Sequence, residues 1–510
     1  MNIRYNGHAS FTFTKDGFST TLDPWVNSAF FGSWNPFPDN ASCKEHILKS
    51  DAILMSHEHE DHCDLELLKE FKGEIYIPKY RSDSFCKKLA ASGIHYTELK
   101  PRHKHRLGPF DIEFVIQSAP AWDDAAIIIS LGDNTFIDLN DLKPSVDDLE
   151  HIKKTYPAPT FLAYQYSGAS WHPMTNKDLT EFEKREISQE KIQRKFRNTL
   201  SLMEEFKPSF VLPSAGPPCF LFDEHINFNN GTTAAFPGLK EYKTFLEQHE
   251  VEPNALYMQP GDIISAEGED IICREELYTA QHLPSRMKSI VGLKQKKNVH
   301  SYYDEAVLTK LLPDDDIVAY FQTIFKNSAP FKNLLRYLVH YEIISSGNNH
   351  TIFVDFRKGT VSFNEPETDI LIGYKLTIPA GPFNRIIRGQ NSWEELFLSL
   401  QFEMHQYLPQ HDDHFFTLHK FCHTEYLQRY FAYYKKSLKT ETFMLEYEDE
   451  KYEVQRFCPH AMADLSKGEI VDGKLICPNH GWAFCLKDGS STTSNLCIEV
   501  KKTGSCIPLV

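Results

Sequence analysis

Two short stretches near opposite ends of this 510-residue chain carry side chains of the kind that hold metals. Toward the C-terminus, Cys458-Pro-His460 is followed, after sixteen intervening residues (477 − 460 − 1 = 16), by Cys477-Pro-Asn-His480. Two thiolates and two imidazoles in this order can bind a [2Fe–2S] cluster asymmetrically. Cys458 and Cys477 then hold the inner iron, and His460 and His480 the outer, electron-accepting one. Two neutral imidazoles in place of thiolates raise the reduction potential above that of an all-cysteine cluster, so the segment reads as a one-electron carrier. Zinc accepts the same four donors. Zinc fingers, however, usually put a Cys pair in one half and a His pair in the other, whereas here each half holds one of each. Gly468 and Gly473 suit a hairpin between the two ligand loops.

The second stretch follows a short apolar run. Residues 52–56, Ala-Ile-Leu-Met-Ser, read as a buried strand that enters His57-Glu58-His59-Glu60-Asp61-His62. Alternate residues of a tight loop at a strand end point to one side. His57 and His59 can then hold one metal, while Asp61 and His62 hold a second nearby. A histidine-rich surface loop is the plain alternative, and four donors within six residues argue against it. The H-x-H-x-D-H pattern resembles the signature of the metallo-β-lactamase superfamily. Gly7-His8-Ala9-Ser10-Phe11 and Leu22-Asp23-Pro24-Trp25 resemble the opening strands of its lactonase-like members. That resemblance implies a bridging aspartate after a later strand. Asp138, ending Asn134-Thr135-Phe136-Ile137-Asp138, fits the slot, and Asp61 and Asp138 are the catalytic candidates. It also implies a histidine upstream of that strand. Ala121-Trp122-Asp123-Asp124 stands there without one, so a carboxylate, Asp123 or Asp124, replaces imidazole. A last histidine is expected after a further strand. His225, following Phe210-Val211-Leu212-Pro213, fills this place, with His172 as its rival.

The Cys/His pattern carries the ligand order of a Rieske centre, and Gly481-Trp482 follow its second histidine as in many Rieske domains. Within residues 161–261, Tyr166-Ser167-Gly168-Ala169-Ser170-Trp171-His172-Pro173-Met174, Lys207-Pro208, Leu212-Pro213-Ser214-Ala215-Gly216 and Gln259-Pro260-Gly261-Asp262 resemble the cytidine-monophosphate-N-acetylneuraminate hydroxylase family. The resemblance covers about the first half of the chain plus the cluster motif. It implies a Rieske centre joined to a metallo-β-lactamase-like domain, and hydroxylation as the reaction. In that family the Rieske domain comes first, and here it comes last.

Composition narrows the partners. There are 54 basic and 70 acidic residues, a net charge of −16, which argues against a nucleic-acid backbone. Lys294, Lys296 and Lys297 form the one notable basic cluster. No apolar run reaches membrane-spanning length, and the N-terminus enters a strand without a signal-peptide core. The expectation is a soluble, cytoplasmic protein. Of eleven cysteines two are cluster ligands; the others lack framework spacing and read as reduced thiols. Neither ligand loop holds the extra cysteine of a loop-to-loop disulfide, which resembles the lower-potential oxygenase and ferredoxin types.

The elements that must position these residues fall into three parts, together an α/β protein. Residues 1–265 alternate strands and helices as an αββα sandwich, with a charged helix over 178–206. Residues 266–445 form a mixed α+β region, resembling sterol-carrier-like modules around Phe353–Val361. Helices are expected over 305–312, 317–325 (capped by Asp314-Asp315-Asp316), 393–407 and 423–436, with a hairpin over 351–363 turning near Gly359. His405, His411, His414, His419 and His423 in this region line an interface, or hold a mononuclear iron. Residues 446–510 form an all-β Rieske domain. The expected activity is a monooxygenase in which an external reductase or ferredoxin feeds the cluster, and the cluster feeds a non-haem di-iron site. O2 is activated there and a small organic molecule is hydroxylated or N-oxygenated. The alternative is a zinc hydrolase with the Rieske domain as a redox sensor. Were the two metal sites too far apart within a chain, a homo-oligomer would have to join them.

Overall fold

The structure is a computed structural model describing residues 1–117, 123–168, 170–230, 234–251, 254–265, 283–328, 334–346, 348–421, 427–430, 432, 441–460, 463–478 and 481–505. The N-terminal part is built on two sheets. The first runs Ile263–Ser265, Asn2–Gly7, Ser10–Lys15, Phe18–Leu22, Ala52–Leu54, Glu74–Pro78 and Thr97–Leu99, in that spatial order. The second runs Phe210–Ser214, Phe161–Gln165, Asn134–Asp138, Ala125–Leu131, Phe110–Ile116 and His105–Leu107. Alternating apolar residues pack face to face between them, with Phe11, Phe13, Ile53, Phe110, Ile127 and Phe136 fully buried. The outward residues of the second sheet, including Ile128, Ile137, Leu162 and Tyr164, are covered by the helices Glu181–Phe206 and Leu239–Gln248. Short helices such as Leu65–Glu70 pack against the first sheet, giving the expected αββα layering.

Helix Glu181–Phe206 begins at a capping box: Thr180 accepts from the Glu183 N–H, and the Glu183 carboxylate accepts from the Thr180 backbone. It ends at Lys207, which turns left-handed (φ 47°). The strand Ala52–Leu54 lies parallel between Phe18–Leu22 and Glu74–Pro78. A strand covered on both faces reads as an unbroken apolar run, which is how Ala-Ile-Leu-Met reads. Its C-terminal end releases the histidine loop.

The middle region is a five-stranded sheet, Thr360–Ser362, Asn349–Asp355, Leu338–Ile344, Ile372–Pro379 and Glu403–Gln406, packed on helices that include Asp314–Asn327, Trp393–Ser399 and Asp413–Phe421. The hairpin turns at Gly359 (φ 68°) as its position demanded. Two expectations need correction. The first acidic triplet does not cap its helix: Asp314, Asp315 and Asp316 occupy its first turn, behind Pro313, where carboxylates favour the helix dipole. The second is the helix from Trp393, which stops at Ser399. Leu400 turns left-handed (φ 63°), and Glu403–Gln406 pairs with Ile372–Pro379 as an edge strand. Most of the helix expected over 423–436 lies outside the described residues.

The C-terminal part holds two three-stranded sheets, Thr442–Tyr447 with Glu450–Gln455 and Val500–Ser505, and Glu469–Val471 with Lys474–Ile476 and Ala483–Cys485. Asp472 and Gly473 (φ 46° and 70°) make the tight turn of the second hairpin. Among the described residues no helix is long and apolar enough to cross a membrane.

The three parts are stitched by hydrogen bonds. The Trp34 indole donates to the Leu398 carbonyl at 2.8 Å, and Gln401 donates to the Phe31 carbonyl at 2.8 Å. Asn495 donates to Asp412 at 2.9 Å, joining the C-terminal part to the middle one. The intersheet aromatic layer supplies a stability test. Phe136 meets Phe11 and Phe13 edge-on at 5.1 and 4.9 Å. Phe136→Ala is expected to cost about 3–5 kcal/mol in denaturant unfolding. Phe182→Ala, at a side chain 70% exposed, should stay within about 0.5 kcal/mol of the parent.

Candidate metal centres

The N-terminal cluster is organised by a carboxylate that the sequence pattern did not mark as a donor. Asp23 follows the strand Phe18–Leu22 in a left-handed conformation (φ 36°). Its Oδ1 accepts from the Ser56 N–H at 2.6 Å, and its Oδ2 lies 2.9 Å from His62 Nδ1. Ser56 Oγ, bonded to the same carboxylate, lies 2.8 Å from His57 Nδ1. Both imidazoles are thereby held through Nδ1, which leaves Nε2 of each as the donor atom. His57 Nε2 is 2.9 Å from His59 Nδ1. His62 Nε2, buried and without a hydrogen bond, is 3.7 Å from both Asp61 Oδ2 and Asp141 Oδ1. His8, left-handed at φ 54°, brings Nε2 to 3.1 Å from Asp61 Oδ2.

Three overlapping groups result, each with its donor atoms within 4.8 Å of one another: His8/Asp61/His62, Asp23/His57/His62 and His57/His59/Asp141. The four motif residues His57, His59, Asp61 and His62 thus come together, and His8, Asp23 and Asp141 join them. His8 and Asp23 lay in stretches read only as strand signatures, and Asp141 lay three residues beyond the expected aspartate.

The remaining candidates separate. Asp138 is fully buried behind Asp23, its Oδ1 accepting from the Asn140 N–H at 3.0 Å, and it enters none of the three groups. Asn140 is left-handed (φ 49°), and beyond this turn Asp141, not Asp138, joins the histidines. Asp123 accepts from the Ser82 N–H at 3.3 Å, while Asp124 lies close enough to His59 and Asp141 to interact with both charges. His225 is elsewhere: its ring packs on Phe228 and Tyr302, and its Nε2 faces the Leu400 carbonyl at 3.0 Å. His172 is half-buried near Lys191 and His411. Of the middle histidines, His419 is bonded to Tyr341 and to the Phe415 carbonyl, and His405 to Asp178. None of them forms a donor group among the described residues, and His423 lies outside those residues.

The electrostatics are those of a site built for cations. Burial pushes His57 well down, helped by His62 and His59. Burial opposes charge on His59 as well, but the Glu394 carboxylate outweighs it and lifts the imidazole to about 9. His62 is lifted to about 10 against the same penalty by Asp61, Asp23 and Asp141. Burial raises Asp124 to about 6 and holds Asp138 well above the carboxylate range, with Asp23 adding to the latter. Without a metal, protons held on His59 and His62 therefore balance the neighbouring carboxylates. A divalent cation would take their place.

In the C-terminal part, Cys458 and Cys477 are each 1% exposed in one small core. Cys458 N–H donates to the Ala463 carbonyl at 2.9 Å and Cys477 N–H to the Trp482 carbonyl at 2.8 Å, so each sulfur sits in a hydrogen-bonded loop. The His460 ring stacks on Trp482 with centroids 4.3 Å apart and planes 7° apart. Two buried sulfurs and an imidazole held in plane fit a mixed-ligand cluster. The fourth ligand, His480, lies outside the described residues. Gly481 is left-handed (φ 62°), and a Cβ there would meet Arg194 Nε of helix Glu181–Phe206 at 1.5 Å. Cys43, Cys63, Cys86, Cys219, Cys485 and Cys497 are free thiols.

Comparisons with known proteins bear on the two domains that carry these clusters. Residues 2–132 match the family model described as a Beta-lactamase superfamily domain, and residues 417–502 match the Rieske [2Fe-2S] domain. Proteins provisionally named Rieske 2Fe-2S iron-sulfur proteins, from Mycolicibacterium smegmatis and Mycobacterium tuberculosis, are each 28% identical, with 97% of this chain and 98% of theirs covered. A metal-dependent hydrolase of Exiguobacterium is 29% identical over 21% of this chain and 44% of its own. Among solved structures, the diiron β-hydroxylase CmlA of Streptomyces venezuelae aligns at 13% identity and TM-score 0.35, covering 52% of this chain and 53% of that one. An isothiocyanate hydrolase from Delia radicum gut bacteria aligns at 13% identity and TM-score 0.37, covering 52% and 99%. The chain joins an N-terminal metallo-β-lactamase-fold domain to a C-terminal Rieske [2Fe–2S] domain.

Proposed function

We propose that the protein is a Rieske-coupled non-haem di-iron oxygenase that hydroxylates or N-oxygenates a small organic substrate with O2 and electrons from an external reductase or ferredoxin. One observation carries this reading: a one-electron centre shares a chain with a two-part donor cluster, and a zinc hydrolase has no use for electrons. His57, His59 and Asp124 would hold one ion. His8, Asp61 and His62 would hold the other, with Asp141 between them. Asp124 in place of an imidazole supports the choice of iron, because carboxylate-rich, open sites suit iron that binds oxygen. Iron in this cluster would supply oxygen activation; the Rieske centre would supply single electrons. The chain's own contribution is to fix the ligand tautomers. Asp23 orients His62 and, through Ser56, His57.

The resemblance to the cytidine-monophosphate-N-acetylneuraminate hydroxylase family supports the reaction type. The substrate would be a small metabolite.

Metal analysis tests the reading. Protein purified without oxygen is expected to contain about four irons for two acid-labile sulfides, two of the irons belonging to the cluster. His57→Ala/His59→Ala should lose the non-cluster iron and keep the reduced Rieske paramagnetic signal. Zinc in place of that iron would favour the hydrolase instead.

Metal binding should also release protons. His59 and His62 titrate near 9 and 10 in the metal-free site, against 6.5 unperturbed, so near neutrality the metal must displace about two protons. Because both values are raised, the stability they give the metal-free fold is complete below pH 6.5 and is lost as pH climbs through 9 and 10. Chelated protein should therefore lose stability over this range, while metal affinity, followed by calorimetry, rises with pH. A pH-independent affinity between pH 6 and 9 would contradict the assignment.

A further inference from the structure

The middle region reaches into the N-terminal cluster with one carboxylate. Glu394 stands in the first turn of helix Trp393–Ser399, which is fixed by a capping box between Ser392 and Glu395. Its Oε2 lies 3.7 Å from His59 Nε2, and its Oε1 pairs with Lys420 Nζ at 2.6 Å. The side chains of both Glu394 and Lys420 are largely buried. The other nitrogen of His59, Nδ1, is the one that faces His57. A carboxylate 3.7 Å from Nε2 favours a proton on that nitrogen, which leaves Nδ1 to face the cluster. Such an outer partner fixes the tautomer of a metal-binding histidine and strengthens it as a donor.

Lys420 ties this contact to the Rieske domain. It lies near the end of helix Asp413–Phe421. Asp413, seven residues earlier and about 10 Å away along the axis, places Oδ1 3.7 Å from His460 Nε2. Between them on the same helix, Phe416 stacks on His411 (centroids 4.6 Å) and packs against Trp171 (5.5 Å), over which Lys420 Nζ lies at 5.9 Å. One nine-residue helix therefore carries Asp413, which faces His460, and through Lys420 reaches Glu394, which faces His59.

Packing between regions does not by itself require this aim. The ion pair Lys177–Glu403, at 2.9 Å, also crosses between the two regions, from the edge strand Glu403–Gln406. It is the natural control.

We propose that Glu394, held by Lys420, is a positioning residue of the N-terminal metal centre supplied by the middle region, and that helix Asp413–Phe421 couples this centre to the Rieske His460 within a single chain. The proposal rests on reading the His57–Asp141 cluster as a metal centre, and it holds for either iron or zinc there.

The test uses the full-length protein with its Rieske cluster intact. The N-terminal metal is removed by a chelator under anaerobic conditions, and cobalt(II) is titrated back by difference absorption. Glu394→Gln and Lys420→Met are expected to weaken cobalt binding about 10- to 100-fold and to alter its ligand-field bands. Lys420→Arg should restore most of the affinity, and Glu403→Gln should leave it within about twofold of the parent. Cobalt binding should also speed the spin relaxation of the reduced Rieske signal, independently of protein concentration. Parental affinity in Glu394→Gln, an equal loss in Glu403→Gln, or an unchanged relaxation rate overturns the proposal and leaves the metal centre standing. Failure of the parent protein to take up cobalt overturns both.

Discussion

The N-terminal site depends on the Asp23 carboxylate. It is fully buried at a sheet end and receives the backbone N–H of Ser56, the Ser56 hydroxyl and His62 Nδ1. With its amide turned to donate, Asn140 adds a contact at 2.9 Å. One group thus joins the ends of strands Phe18–Leu22, Ala52–Leu54 and Asn134–Asp138, drawn from both sheets. A buried anion is tolerated only when its lone pairs are satisfied, so the loops are not free to drift apart. The strained conformations nearby, left-handed at His8, Asp23 and Asn140, are of the kind that persists where the surroundings over-determine the backbone.

The middle region acts as a wall shared by two chemistries. Its helices present Glu394 and Glu395 to the histidine loop and Lys88, and Asp412 and Asp413, at the start of helix Asp413–Phe421, face the C-terminal domain. Its apolar residues Leu398 and Leu400 complete a cluster with Trp25, Phe30 and Trp34 of the N-terminal part. Charge is concentrated at these seams and paired across them. Paired charges fix register between packed surfaces more than they add net stability.

The sequence was most legible where local pattern and chemistry coincide. His57 to His62 and Cys458 to His460 could be read because ligand spacing is a short-range property. The αββα layering and the Gly359 hairpin followed from period-2 burial and from glycine's access to positive φ. What escaped depends on the third dimension. Asp138 and Asp141 are both plausible from their types, and only the left-handed turn at Asn140 decides which one faces the histidines. His225 satisfied its spacing, but an aromatic cage of Phe220, Phe228 and Tyr302 claims it. Glu394 lies more than three hundred residues from His59, and no local pattern marks it. The helix from Trp393 was over-extended because Leu400-Gln401-Phe402 carries no breaker; pairing at the sheet edge ends it instead.

The contact between Gly481 and Arg194 has a steric consequence. The guanidinium of an N-terminal-domain helix lies where a side chain at position 481 would be. Glycine there lets helix Glu181–Phe206 and the cysteine loop approach each other, and any larger residue would have to displace Arg194 from the seam between the first and last domains.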